Sequence, residues 1–159
     1  MTTIPTTTPI AAEQRPPTAA PSLSTGDTLR VQAWRDPIVE DTPGAIRTDT
    51  EEALVWFTPS VGTISMAMAY RFARHAQAGP SEWRVEDIAR TFGIGTSPAR
   101  VLRSLDRLER FAIARRDDRT VTVRLWLAPL TVRQYRQLPG YLAAAYDRRW
   151  PAMGYAALA

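Results

Sequence analysis

The chain has 159 residues, 45% hydrophobic and 23% charged, which predicts one globular domain with a core of its own. It contains no cysteine, which excludes disulfides, thiolate catalysis and cysteine-based zinc sites. The net charge of +4 is uneven: residues 1–57 carry 4 Arg against 8 acids (net −4) and residues 58–159 carry 16 Arg against 8 acids (net +8), a basic half that favours a polyanionic partner.

The opening stretch MTTIPTTTPIAAEQRPPTAAP holds 5 Pro and 6 Thr and few large apolar groups, so residues 1–25 predict a disordered Pro/Thr-rich tail. It lacks the basic and apolar regions of a signal peptide, and no run of about 18 apolar residues occurs anywhere. Together these predict a cytoplasmic protein with no membrane partner. DTLRVQAW predicts a short strand with Leu29, Val31 and Ala33 on one face. RDPIVEDTPGAIRTDTEE, rich in acids and interrupted by Pro37 and Pro43, predicts loop. Residues 26–57 are therefore read as an acidic arm or linker holding one short strand, with a role as a protein-partner surface.

TPSVGTISMAMAYRFARHA predicts the first full helix. Thr58 is its cap, Pro59 its first helical residue, and Val61, Ile64, Met68 and Phe72 form one stripe. Gly79-Pro80 ends it. A short helix over 85–92 points Val85, Ile88, Ala89 and Phe92 inward, and Gly93-Ile94-Gly95 forces a turn. A third helix begins behind Thr96 or Ser97, with Pro98 in its first turn, and runs to Arg110.

FAIARRDDRTVTVRLWLAPL predicts a β hairpin with its tip at Arg116–Arg119; Val121, Val123, Leu125 and Leu127 alternate along one face of the second arm. In the last segment Thr131 and Gln134 make a capping box, and Pro139 kinks or restarts the helix. Tyr135, Leu138, Leu142, Tyr146 and Trp150 give that segment an apolar stripe, read as the interface of a homodimer.

With Ala89 at a close helix crossing, Gly93 four residues on, and Ile94, Leu102 and Leu105 as core contacts, residues 58–130 resemble the winged helix-turn-helix family of DNA-binding domains. The resemblance implies a mainly α fold with a small β hairpin: three helices and a wing, followed by a C-terminal helical extension over residues 131–159. It also implies that Pro98–Arg110 is the recognition helix and the 115–124 hairpin the wing. GIGT makes the turn a residue longer than in the tightest members.

At 100° per residue, Arg100, Arg103, Arg107 and Arg110 fall within about 80° of one another, opposite Val101, Leu102, Leu105 and Leu108. A helix selected for stability alone would interleave glutamates, because like charges three or four apart repel. Asp106 flanks the stripe, where it can pair with Arg103 and Arg110. The planar guanidinium fork matches both guanine O6/N7 and phosphate. The expected DNA contacts are thus Ser97, Arg100, Arg103, Ser104, Arg107 and Arg110 on the helix, and Arg115, Arg116 and Arg119 on the wing. Catalysis finds little support. His75 stands alone, carboxylates do not fall at ligand spacing, and GIGTSP lacks the lysine and preceding strand of a phosphate loop, so no enzyme, cofactor or metal site is expected. The expected function is sequence-specific double-stranded DNA binding by a dimeric transcriptional regulator; the competing reading is a protein-protein interaction module in a replication, segregation or transcription complex.

Overall fold

The computed structural model describes residues 22–155, so most of the segment read as a Pro/Thr-rich tail lies outside the described residues. Leu29 and Val31 alternate inward along β1 (Thr28–Trp34) and are fully buried. A one-turn helix α1 (Pro37–Glu40) and a short β2 (Ile46–Arg47) lead into α2 (Glu51–Val61). The Thr50 hydroxyl caps α2 by accepting from the Ala53 N–H at 3.3 Å. Its buried positions, Ala53, Trp56, Phe57, Ser60 and Val61, keep the helical i, i+3, i+4, i+7, i+8 spacing.

Thr58 and Pro59, expected to start a helix, lie instead inside the last turns of α2. The break falls at Gly62, at φ 96°, before α3 (Thr63–Ala76). Only glycine holds that backbone geometry without strain. The shift in phase leaves Ile64 41% exposed, whereas Val61, Met66, Met68 and Phe72 are fully buried.

Gly79-Pro80 does end α3, but the next residues form a strand, β3 (Ser81–Arg84), before α4 (Val85–Thr91) and α5 (Pro98–Arg110). The hairpin follows as β4 (Ala114–Asp117) and β5 (Thr120–Arg124), turning at Asp118-Arg119. The chain continues through β6 (Trp126–Leu127), α6 (Val132–Tyr135) and α7 (Gly140–Arg149). Thr131 and Gln134 form the expected capping box, and Pro139 is the N-cap residue of α7.

The expected mainly α fold with a small hairpin is corrected to a mixed α/β fold, with a four-stranded mixed sheet in the order β3-β1-β5-β4 and a two-stranded sheet β2-β6. The reason is long-range pairing. β1 comes from the stretch read as an acidic arm; it lies antiparallel to β3 on one side and parallel to β5 on the other. Leu29, Val31, Val121 and Val123 pack toward α3, leaving Arg30, Gln32, Trp34, Thr122 and Arg124 on the opposite face.

Candidate nucleic-acid interface

The turn between α4 and α5 is set by two closing bonds. The Ile94 N–H reaches the Ala89 carbonyl at 3.0 Å and the Gly93 N–H the Arg90 carbonyl at 3.2 Å, with Gly93 at φ 65°. This is a Schellman cap, and the buried Ile94 side chain supplies its apolar contact. Gly95, at φ 77°, turns the chain a second time before Pro98 starts α5. Ser97 occupies the N-cap position with extended backbone, and its hydroxyl makes no capping bond.

Val101, Ser104, Leu105 and Leu108 are the buried side of α5, packed against α3 and α4, while Leu102 is only half-buried. Ser104, expected in the groove-facing set, is 9% exposed, and its hydroxyl donates to the Arg100 carbonyl at 3.1 Å. The arginine stripe is on the outside as expected: Arg100, Arg103, Arg107 and Arg110 are all exposed. Arg107 Nη2 donates to the Ser60 carbonyl at 2.9 Å, which anchors one end of its guanidinium. Among the described residues, Arg100, Arg103 and Arg110 have no ion-pair partner.

Asp106 does not orient Arg103 or Arg110. It pairs with Arg116 of the hairpin at 3.2 Å, Glu109 lies 3.8 Å from the same guanidinium, and the Arg116 backbone N–H donates to Glu109 at 2.7 Å. The two acids that flank the stripe therefore tie β4 to α5.

The three arginines expected on a wing are dispersed. Successive residues of a strand point to opposite faces. Arg116 turns to the helix side with its side chain 9% exposed, whereas Arg115 stands on the open sheet face, its guanidinium 3.6 Å from the Trp34 ring centroid. Arg124 stacks on the same ring at 3.7 Å and pairs with Asp36 at 2.7 Å. Arg119, at the tip, pairs with Asp27 at 2.6 Å. Arg119 holds the Asp27 carboxyl below the usual carboxylate range, and Arg124 does the same for Asp36. Glu52 pairs with Arg149 at 3.1 Å and Asp49 with Arg47 at 2.9 Å. These acids of the 26–57 segment are thus matched within the fold, and none of the four pairs with the α5 stripe.

The stripe read as a dimer interface is turned inward. Tyr135, Leu138 and Tyr146 are 5%, 9% and 2% exposed, and Leu142 and Trp150 are half-buried. Tyr146 and Trp150 meet Trp56 of α2 edge-on, with centroids 5.4 and 5.8 Å apart. Tyr146 and Trp150 thus cover this chain's own core, where Trp56 supplies the complementary face.

Sequence spacing did not single out Arg133 and Gln137, which line a cleft with Arg107, Arg110 and Phe111. Arg133 is 23 residues beyond Arg110, and only the fold of the C-terminal segment brings them together. His75 is exposed, edge-on to Trp83 at 5.0 Å. Among the described residues, no group of three His, Cys, Asp or Glu is placed to hold a metal ion, and no helix is long and apolar enough to cross a membrane. No protein family, curated protein or solved structure matches the chain.

Proposed function

We propose that the chain binds double-stranded DNA through α5 and acts as a sequence-specific transcriptional regulator. The observation that carries this reading is the outer face of α5, where Arg100, Arg103 and Arg110 are exposed without an ion-pair partner while the opposite face is packed. Like charges at this spacing repel, and a bound polyanion removes that repulsion. Arg100 and Arg103 face the major groove, where a bidentate guanidinium distinguishes guanine from the other bases, and Arg107, anchored on the Ser60 carbonyl, meets a phosphate. Arg110, at the C-terminal end, takes a phosphate.

A competing reading, a protein-interaction module, draws on a different surface. Tyr141 is 74% and Val55 43% exposed, and with Leu54, Pro59 and Leu142 they line an apolar groove between α2 and α7.

Fluorescence anisotropy on mixed-sequence duplex DNA across a salt series separates the two. Log K should fall linearly with log salt, with a slope near −0.9 for each phosphate neutralised. Arg100→Ala/Arg103→Ala/Arg107→Ala should weaken binding roughly tenfold or more and flatten the slope. Absence of binding by the wild-type chain at low salt rejects the DNA reading and leaves the α2–α7 groove as the functional surface.

A further inference from the structure

We infer that the cleft between α5 and α6 is a phosphate-binding site, and that Arg133 and Gln137 carry the DNA contact beyond α5. The inference rests on the DNA-binding reading of α5 and adds residues from a second element to it. Arg107 and Arg110 form one wall of the cleft; Thr131, Arg133, Gln134 and Gln137 form the other; no acid lines it.

The hydrogen bonds around the cleft leave donors facing it. The Gln134 side-chain carbonyl accepts from the Thr131 N–H at 2.9 Å and from its hydroxyl at 3.0 Å, so the amide nitrogen remains as a donor. Arg107 spends one Nη on the Ser60 carbonyl and keeps its remaining N–H groups. Arg110 and Arg133 are exposed and have no ion-pair partner among the described residues. Three guanidinium groups around one cleft with no carboxylate to separate them repel one another. A bound anion with several acceptor oxygens converts that repulsion into charge-assisted hydrogen bonds.

The anion is a phosphate of the DNA backbone, because two of the three arginines belong to both surfaces. Arg107 and Arg110 sit in the α5 stripe and also line this cleft, and Arg103 and Arg107 line the adjoining groove at the α2–α3 break. One basic surface therefore runs unbroken from α5 onto α6. A strand lying along the stripe would leave α5 at Arg110 and meet Arg133 next.

The test compares wild-type full chain with Arg133→Gln and Arg133→Lys on the same duplex across a salt series. Arg133→Gln should weaken binding by up to about fivefold and reduce the salt slope by about 0.9, and Arg133→Lys should restore the slope. A wild-type chain that binds DNA while Arg133→Gln leaves both affinity and slope unchanged overturns the inference and leaves the α5 reading standing. No DNA binding by wild type overturns both. In a second arm, inorganic pyrophosphate is added to the DNA-free protein and thermal unfolding is followed. A rise in Tm that Arg133→Gln abolishes, together with an unchanged DNA slope, assigns the cleft to a free phosphorylated ligand and overturns the backbone assignment.

Discussion

Ala112 sits at φ 53° where α5 ends, a left-handed conformation that a side chain resists. It is held there by the same pair of bonds that ends α4: the Ile113 N–H reaches the Leu108 carbonyl and the Ala112 N–H the Glu109 carbonyl, both at 2.9 Å. At α4 the left-handed position is Gly93; at α5 it is an alanine, and the Cβ penalty is unrelieved. Ala112→Gly should therefore raise the unfolding free energy by about 0.5–1 kcal/mol, the Cβ penalty less the backbone entropy that glycine loses. Urea denaturation checks this, and an unchanged or lower midpoint would refute it.

At the scale of elements, α7 is held to the body by Tyr146. Its ring packs against Trp56, and its phenol oxygen accepts from the Leu130 N–H at 3.2 Å. The Tyr155 hydroxyl donates to the Leu130 carbonyl, and the Tyr135 hydroxyl donates to Asp147 at 2.8 Å, so three tyrosines fasten the C-terminal segment. Burial pushes the Tyr146 phenol up to about 12 from its ordinary 10. The folded state thus keeps a proton that the unfolded chain loses, so this contribution is whole below pH 10 and is lost as pH rises from 10 toward 12. Tyr146→Phe should cost about 1 kcal/mol at neutral pH through the lost hydrogen bond. It should also make the alkaline decline in stability shallower, with a residual from Tyr135 and Tyr155, whose phenols are also pushed up. Denaturation midpoints at pH 8 and pH 11 measure both effects, and parallel declines in the two proteins would contradict the assignment.

For the molecule as a whole, β1 decides whether residues 58–130 can stand alone. Leu29 and Val31 are fully buried, and the strand makes ladder bonds on both sides. α2, capped by Thr50, adds Trp56 and Phe57 to the same core. A chain starting at Thr58 would leave one edge of β3 and one of β5 unpaired and open the core from Val121 to Phe72. It should lack a cooperative thermal transition by circular dichroism. A cooperative transition like that of the full chain would show that residues 58–159 fold without β1 and most of α2.

What the sequence by itself determined is what local chemistry controls. The α4 and α5 spans, the glycine turn between them, the β4–β5 hairpin, the Thr131–Gln134 capping box and the outward arginine stripe all follow from caps, breakers and periodicities within a few residues of the feature they place. The Ala53–Val61 stripe of α2 was equally present in the sequence but was obscured by acids at its start and a proline near its end. Only the tertiary structure decided the rest. β1 pairs with β5 across about 90 residues, Arg116 turns inward to Asp106 while Arg115 stacks on Trp34, Tyr146 meets Trp56, and Arg133 joins Arg107 and Arg110. In each case the partner is distant in sequence. Strand pairing, aromatic packing and charge pairing depend on which surfaces the completed fold brings within a few ångströms, a property that no local period records.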